Sequence, residues 1–313
     1  MKAAVITSFD EPPRYQDFDE PTSEATSTVP LTVLAAPLHR LTIGRATGKH
    51  YSAALEPPFV PGIDGVGRDP EGQLRYFLHG NTRFGSLAER TVVEAWRTIP
   101  IASDVDPVTI AAAVNPAMSA WLALRCRMQF ERGQKVLVLG ATGHAGSMSV
   151  QVARHLGASK IIASGRNEAK LEALRSLGAT AVLVLDDPRM GEVASDVDVV
   201  LDFVWGEIAA KIMERLVRGR ADRSRPLTWI QIGSMAGETS PVPAALLRSS
   251  KLHLLGSGLG SVSTPELLEA LPSLLEVLAQ GSLHIDAKAI PLREIDRAWR
   301  EAGNAAERVV VTP

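Results

Sequence analysis

The sequence predicts an α/β fold in which a small β-barrel or sandwich precedes a doubly wound parallel sheet. Roughly the first third of the 313 residues is rich in proline and in short β-type runs separated by turn signals. After Gly133, apolar runs of four to six residues alternate with amphipathic helical segments. Such runs are what a parallel sheet covered by helices on both faces requires.

The charge and composition of the chain bear on which partners and which cellular location to expect. With 33 Lys and Arg against 35 Asp and Glu, the net charge of -2 provides no field that would attract nucleic acid or an anionic membrane. The N-terminal segment has the pattern of neither a signal peptide nor a transit peptide, and no apolar run approaches the roughly 20 residues of a membrane helix. We therefore expect a cytoplasmic protein with neither a nucleic-acid nor a membrane partner.

The predicted barrel consists of short β-type runs that are separated by turns containing Pro and Gly. They fall at residues 3–7, 30–35, 59–60, 74–78 and 87–93. An alanine-rich segment follows, with Asp106 as a helix cap and Pro107 in the first turn. Because proline disfavours helical geometry in the residue before it, Asn115-Pro116 is expected to split this segment into two helices.

From residue 135 onward, strands and helices alternate. Predicted strands cover residues 135–140, 160–165, 181–186, 198–204 and 227–233. The first predicted helix ends at residue 156, and two more cover residues 167–177 and 207–217. Another helix begins near residue 265, and the last predicted strand covers residues 308–313. This succession of βα units predicts a single parallel sheet.

The strand-to-helix turn at the start of this sheet carries a glycine motif. Gly140-x-x-Gly143-x-x-Gly146 follows the apolar strand directly and opens a helix. In that context the motif predicts a dinucleotide site, with the pyrophosphate on backbone N–H groups at the helix N-terminus. Glycine lets the backbone approach the phosphates and lets the helix pack closely on the strand.

The end of the next strand indicates which dinucleotide. NAD-binding versions place an Asp or Glu there for the ribose hydroxyls, whereas an arginine accommodates the 2′-phosphate of NADP. This strand ends without an acid, and Ser164, Arg166, Asn167 and Lys170 stand there instead. A planar guanidinium pairs well with phosphate, and Lys170 adds a second positive charge. The prediction is therefore NADPH, with the adenosine phosphate near Arg166.

Several segments together resemble the medium-chain dehydrogenase/reductase superfamily, in particular its zinc-independent quinone oxidoreductase-like branch. They are MKAAVIT, PPFVPGIDGVG, FGSLAERTVV, GQKVLVLGATGHAGSMSVQVARHLGA, DVDVVLDFVWG and WIQIGSMAGE, with LHLLGSGLGS, IPLREIDRAWREAG and RVVVTP further on. The resemblance implies a GroES-like β-barrel catalytic domain at residues 1–116 and 260–313. It also implies a Rossmann domain at 117–259, with the active site where the two domains meet.

The predicted cofactor site extends beyond the glycine turn. Open parallel sheets bind ligands at the carboxyl ends of their strands, and the resemblance adds a basic residue before the last strand. The residues expected to contact NADPH are Gly140, Ala141, Thr142, Gly143, His144, Ala145, Gly146, Ser164, Arg166, Asn167, Lys170, Phe203, Ile232, Gly233, Ser234, Gly256, Ser257 and Arg308.

The resemblance also implies where a metal would lie. In zinc-dependent relatives, three ligands occupy positions that correspond here to His39, Ile63 and Asn115, and one imidazole does not hold a catalytic zinc. Cys126 is the only cysteine, so a structural zinc lobe of four cysteines is excluded. Its apolar helical surroundings, WLALRCRMQF, predict a packed structural thiol. No metal site is predicted.

The predicted function is hydride transfer from NADPH to a quinone or an α,β-unsaturated carbonyl without a metal. Candidates for supplying the proton or binding the substrate are His39, Tyr51, Asn81 and Asn115, with water as an alternative proton source. Two other functions stay open: a zinc-type alcohol dehydrogenase relative and a non-catalytic NADPH-binding sensor. The resemblance further implies a homodimer joined through the edge strands of the Rossmann sheet, at LHLLGSGLGS.

Overall fold

The protein, seen in a computed structural model, is described over residues 1–22, 27–303 and 307–313. It divides into two compact units, one formed by residues 1–114 with 275–313 and the other by residues 115–274. The predicted α/β class is confirmed, because one sheet is entirely parallel and a separate sheet is mainly antiparallel.

The strands and helices of the described residues are as follows. The strands are β1 Lys2–Val5, β2 Arg14–Asp17, β3 Thr28–Pro37, β4 Asp64–Arg68, β5 Leu74–Leu78, β6 Arg90–Glu94, β7 Thr98–Pro100, β8 Lys135–Leu139, β9 Lys160–Gly165, β10 Ala181–Val184, β11 Val199–Asp202, β12 Leu227–Gln231, β13 Leu252–Gly256, β14 Ala287–Pro291 and β15 Arg308–Thr312. The helices are α1 Arg40–Ala46, α2 Pro107–Leu122, α3 His144–His155, α4 Glu168–Leu177, α5 Met190–Val193, α6 Gly206–Gly219, α7 Ala244–Arg248, α8 Thr264–Ala279 and α9 Ile295–Ala302.

The first unit is built on a sheet with the strand order β14-β15-β3-β4-β5-β7, and β6 pairs with β3. Alternate residues of β3 point inward, and Leu31 and Val33 join Phe77 in the core of this unit. At the strand expected at 59–60, Phe59 and Val60 form only isolated bridges, to Ile6 and Phe84, and no longer strand. Short strands such as β4, with two glycines among five residues, lack the alternation that would predict them.

The second unit contains the parallel sheet, with the order β10-β9-β8-β11-β12-β13. Numbered from its first strand, this order is 3-2-1-4-5-6, the arrangement of the Rossmann fold. Its strands are mainly apolar, and Leu137, Val200 and Trp229 are completely buried between the helices that cover the sheet. The carboxyl ends of β8 and β11, where the order reverses, lie side by side, which is where ligands bind in such sheets.

The expected break at Asn115-Pro116 is wrong, because α2 continues through Pro116. A proline within a helix removes one backbone hydrogen bond and costs about 3 kcal/mol. The residues on either side, from Ala111 to Val114 and again at Ala117 and Ala120, are at most 1% exposed, and this packing offsets the cost.

The same helix corrects the expectation about membrane-length segments. Together with the turn that follows, residues Pro107–Arg127 form a 21-residue helix that is long and apolar enough to cross a membrane by length and composition. The most apolar window of this helix is 67% buried inside the protein, as in the core helix of a globular protein.

Cys126 is exposed, so the prediction of a packed thiol is wrong. The helix widens over Ala123–Arg127 into a π-helical turn, which rotates Cys126 outward after the last buried residue, Leu124. Arg127, in the same turn, donates hydrogen bonds to the carbonyls of Gly256 and Ser261, both at 2.9 Å. The apolar periodicity of the sequence does not reveal this change of helical pitch.

Candidate functional site

The glycine turn between β8 and α3 is held tightly against the sheet. The backbone N–H groups of Gly140 and Ala141 both donate to the Ser164 carbonyl, at 2.8 and 2.9 Å. Gly140 has a φ of +84°, a conformation that L side chains rarely adopt. A Cβ on Gly146 would lie 2.2 Å from the Gly140 carbonyl oxygen, so only glycine lets α3 begin this close to the strand.

The first turn of α3 is open on its outer side. Gly143 is the N-cap residue, and no side chain of the described residues caps the helix. A Cβ on Gly143 would meet nothing nearer than the Gly140 carbonyl oxygen at 3.7 Å, so space for a ligand lies beside it. N–H groups at an uncapped helix start, with the positive end of the helix dipole, suit an anionic phosphate.

The end of β9 lies against this turn. A Cβ on Gly165 would lie 2.7 Å from the Thr142 side chain, which places Ser164 and Arg166 beside the glycine turn. The hydroxyl of Ser164 is buried and has no hydrogen-bond partner among the described residues. A buried orphaned hydroxyl costs free energy unless a ligand pairs with it.

Two cations follow Ser164. Arg166 and Lys170 are exposed, and neither takes part in an ion pair among the described residues. Asn167, a predicted cofactor contact, also caps α4, because its side-chain oxygen accepts a hydrogen bond from the Lys170 N–H at 2.9 Å. The cap holds Arg166 just outside the helix, where its guanidinium is open to an anion.

Sequence reasoning missed Asp202, which shapes the next turn of the site. Its carboxylate accepts hydrogen bonds from the N–H groups of Val204 and Trp205 at 2.8 and 3.0 Å, and from the Trp229 indole at 2.9 Å. Burial raises the pKa of this carboxyl, although the three donors oppose the rise. An acidic residue that closes an apolar strand, as in VVLD, is the signal that could have indicated this role.

The residues predicted to contact the cofactor at the ends of β11 and β12 lie next to one another. The N–H groups of Ile232 and Gly233 both donate to the Asp202 carbonyl, at 2.7 and 3.1 Å. Phe203, 9% exposed, stands directly after Asp202, and Ser234 follows Gly233 at the end of β12. The structure therefore brings these predicted residues together at the carboxyl edge of the sheet.

Backbone groups at the end of β13 already form hydrogen bonds with other residues of the protein. The Gly256 carbonyl accepts the hydrogen bond from Arg127, and the Ser257 N–H donates to the Gln231 carbonyl at 2.8 Å. Ser257 is 9% exposed. Arg127, which lies 129 positions from Gly256 in the sequence, was not predicted to be here.

His39, a predicted catalytic candidate in the first unit, is buried and bonded at both ring nitrogens. Its Nδ1 accepts from the Thr42 N–H at 3.2 Å and so caps α1, and its Nε2 donates to Asp64 at 2.9 Å. Tyr76 donates to the second Asp64 oxygen at 2.8 Å. Burial lowers the pKa of His39. A neutral imidazole with both nitrogens engaged is unsuited to protonate a substrate, so the structure assigns it a structural role.

Arg308 lies in the same buried neighbourhood. Its side chain is 8% exposed, and its Nε has no hydrogen-bond partner among the described residues. Burial lowers the pKa of this guanidinium to about 10, against the attraction of Asp64. The pyrophosphate contact of Arg308 stays a prediction.

The other catalytic candidates differ in their surroundings. Tyr51 is 74% exposed, and Asn115 lies half-buried in the middle of α2. Asn81 lines an open recess within the first unit. Other residues of this recess are Thr42, Arg45, Leu55, Phe59 and Ile63. Of the four candidates, Asn81 is the one that the structure places in this recess.

The positions of the family's zinc ligands do not fit a metal. Both nitrogens of His39 are already hydrogen-bonded, and Ile63 offers no donor atom. Over the described ranges, no group of three or more His, Cys, Asp or Glu side chains could hold a metal ion. The donor atoms at these three positions therefore do not form a zinc site.

Comparison with known proteins gives a relative that matches from end to end. The Emericella nidulans protein named probable NADPH-dependent quinone reductase is 30% identical and covers 100% of both chains. The chain belongs to the medium-chain dehydrogenase/reductase superfamily, in its quinone reductase-like branch. The family described as zinc-binding dehydrogenase matches residues 145–276, which begin in α3 and contain most of the Rossmann sheet.

Further relatives of this medium-chain reductase support the assignment. The crystal structure of a quinone oxidoreductase from Thermus thermophilus, also solved in complex with NADPH, superposes with a TM-score of 0.85, 29% identity and full coverage of both chains. A chloroplastic NADPH-dependent alkenal/one oxidoreductase from Arabidopsis thaliana is 33% identical over 56% of this chain and 49% of its own length.

Proposed function

We propose that this protein is an NADPH-dependent oxidoreductase that reduces a quinone or an α,β-unsaturated carbonyl without a metal ion. The observation that carries the proposal is the uncapped start of α3 beside Arg166 and Lys170, two cations outside any ion pair of the described residues. The full-length relative is named as an NADPH-dependent quinone reductase, and the shorter plant relative as an NADPH-dependent alkenal/one oxidoreductase. The two names support the same cofactor and the same class of electron-poor acceptor.

The residues present fit NADPH. The space beside Gly143 admits a pyrophosphate to the first turn of α3, where Gly146 allows the close approach of helix and strand. Arg166 and Lys170 carry the charge that a 2′-phosphate needs, and the orphaned hydroxyl of Ser164 gains a hydrogen-bond partner. The absence of an acid at the end of β9 removes the group that would repel this phosphate.

NADPH bound at this site would supply a hydride to the acceptor. The protein's own contribution is to hold the cofactor and to orient the acceptor. Asp202 supports the cofactor side, because it fixes the turn that contains Val204 and Trp205. Since His39 is neutral and engaged, the proton that completes the two-electron reduction comes from water in this proposal.

Two alternatives are less well supported. A zinc-type alcohol dehydrogenase needs a ligand set that His39, Ile63 and Asn115 do not provide. A non-catalytic sensor would share the cofactor site, but both named NADPH-dependent relatives carry the name of an enzyme.

The test uses purified protein, NADPH, and a panel of p-benzoquinone, menadione, methyl vinyl ketone and a saturated alcohol with NADP⁺. Loss of the reduced-nicotinamide absorbance with the quinones or the enone is expected, with no effect of a chelator and less than one zinc per chain by elemental analysis. Oxidation of the alcohol that depends on bound zinc would favour the alcohol dehydrogenase. NADPH binding without turnover of the panel would favour the sensor.

A further inference from the structure

The charge and the lining of the recess in the first unit indicate which class of acceptor it could bind. We infer that this recess binds an acceptor that carries a carboxylate, and that Arg45 recognises this group. The inference rests on the proposed function, because it describes the acceptor of that reaction. It goes further in one respect, since neither a quinone nor a simple enone needs to be charged.

The recess has a positive charge and an apolar wall. Among its described lining residues, Arg45 is the only one with an ionisable side chain. Leu55, Phe59 and Ile63 contribute apolar surface, and Asn81 contributes an amide. A pocket with a mainly apolar lining and a few polar groups is typical of sites for small organic ligands, whose polar groups set the orientation.

Arg45 is held in place and yet lacks a counter-ion. It lies in the last turn of α1, and its Nε donates to the Ser52 carbonyl at 3.2 Å. Its terminal nitrogens make no hydrogen bond to any described residue, and no carboxylate of those residues lies within 4.0 Å of it. A guanidinium fixed at Nε still presents two N–H groups as a fork that matches a carboxylate.

Partial burial makes the missing counter-ion costly. Arg45 is half-buried, and burial lowers the pKa of its guanidinium. A charge that is partly removed from water gains more from an ion pair than an exposed one does. A ligand carboxylate would therefore bind Arg45 more strongly than it would bind a surface arginine.

The neighbouring ionisable groups do not neutralise Arg45. The pKa of His50 is lowered by burial and by the Arg45 charge, and its Nδ1 is bonded to Ser52, so His50 stays neutral near pH 7. Asp64, which follows the recess residue Ile63, is 1% exposed, and His39 and Tyr76 already donate to it. The recess therefore keeps one net positive charge.

These features fit a conjugated acceptor with a carboxylate at one end, such as a 4-oxo-2-enoate. The apolar wall formed by Leu55, Phe59 and Ile63 would pack against the flat conjugated part, while Arg45 would bind the carboxylate. Reduction adds a hydride to the carbon β to the ketone and a proton to the α carbon, and the carboxylate stays unchanged.

The experiment compares β-benzoylacrylate with its methyl ester as acceptors, with NADPH as the reductant. The wild type should have a lower KM for the acid than for the ester, and Arg45→Gln should shift the acid-to-ester ratio of KM by at least about tenfold toward the ester. Arg45→Lys should restore part of the preference. Arg40→Gln, an exposed arginine of the same helix outside the recess, is the matched control and should leave the ratio unchanged.

A binding measurement separates this inference from the proposed function. The saturated analogue β-benzoylpropionate and its methyl ester do not react, so calorimetric titration reports on the recess whether or not the protein turns over the acceptors. Tighter binding of the acid by the wild type, lost in Arg45→Gln and kept in Arg40→Gln, supports the inference even if no acceptor is reduced. Equal binding of acid and ester, or an equal loss in both variants, overturns it, and turnover of the ester would leave the proposed function intact.

Discussion

The side chains after β9 determine which nicotinamide cofactor the protein should prefer. Ser164 offers a buried hydroxyl without a partner among the described residues, and Arg166 and Lys170 are exposed cations outside any ion pair of those residues. Nothing but the 2′-phosphate differs between NADPH and NADH. We therefore expect contacts of these cations with that phosphate to set the preference.

We expect Arg166→Ala to weaken NADPH binding at least about tenfold more than NADH binding, because a charge-assisted phosphate contact contributes roughly 1.5–3 kcal/mol. Fluorescence titration of the reduced cofactors measures both dissociation constants. Arg175→Ala is the control, since Arg175 lies in the last turn of α4 and pairs with Glu172. Equal losses for NADPH and NADH would refute the phosphate contact.

His79 links the stability of the first unit to pH. It is 8% exposed, it pairs with the Thr91 hydroxyl at 3.0 Å, and burial lowers its pKa to about 4. The unfolded chain takes up a proton at this imidazole below about pH 6.5, whereas the folded protein does so only near pH 4. Protonation therefore favours the unfolded state between these two values.

The free energy of unfolding should consequently fall by up to about 3 kcal/mol through His79 as the pH drops from 6.5 to 4. Urea denaturation at a series of pH values measures the fall. His79→Gln removes the titrating group, so the difference between wild type and variant should shrink or reverse steadily toward acid pH. His284→Gln, an exposed histidine, is the control. A difference that does not depend on pH would contradict the assignment.

The turn between β8 and α3 uses its glycines for separate purposes. Gly146 is required by the protein's own packing, since a Cβ there would lie 2.2 Å from the Gly140 carbonyl oxygen. Gly143 has no such close neighbour, the nearest atom lying at 3.7 Å, and has a φ of -87°, which alanine readily adopts. The fold therefore does not require glycine at position 143, and we expect the open space beside it to be needed by the cofactor.

This difference predicts opposite outcomes for a matched pair of variants. Gly146→Ala should lower the free energy of unfolding by about 1–3 kcal/mol through overpacking. Gly143→Ala should leave stability within about 0.5 kcal/mol of the wild type but weaken NADPH binding at least about tenfold, because its methyl group occupies the phosphate space. Urea denaturation and cofactor titration measure the two effects. NADPH binding by Gly143→Ala at wild-type affinity would place the pyrophosphate elsewhere.

The local sequence predicted the long helices and parallel strands well and the small strands poorly. The predicted helix 167–177 and strand 160–165 agree with α4 and β9, because apolar periodicity of this length is a strong signal. The short strand β7 carries too few residues for a pattern. At α2 the expectation that proline breaks a helix is wrong, since burial of the whole segment outweighs the tendency of Pro116 to interrupt it.

The parallel sheet ends in a strand that has a free edge. β13 pairs with β12 on one side, and no other strand of the described residues pairs with it. Leu254 in this strand is 38% exposed, and His253 is exposed. An apolar edge strand of this kind is a template for pairing with a second chain, and a symmetric dimer would cover it.

We therefore expect the wild-type protein to have twice the mass of one chain by light scattering at micromolar concentration. Leu254→Lys should produce a monomer, because lysine on an edge strand opposes pairing. Trp96→Lys removes an exposed apolar side chain of the other unit and should leave the dimer intact. A monomeric wild-type protein would exclude the dimer.

Periodicity and glycine spacing were enough to predict the α/β class, the Rossmann sheet and the tight glycine turn before α3, because these depend on residues within a few positions of one another. The roles of individual polar residues depended on partners far away in the chain. Asp64 lies 25 positions from His39, and Trp229 lies 27 positions from Asp202.

The register of strands and the burial that folding imposes create such pairs. They make His39 a structural residue and Asp202 the support of the cofactor turn. They also leave Arg45 half-buried without a counter-ion among the described residues, a property that no spacing in the sequence encodes. The cofactor could thus be predicted from local sequence, while the inference about the acceptor depends on contacts that exist only in the folded chain.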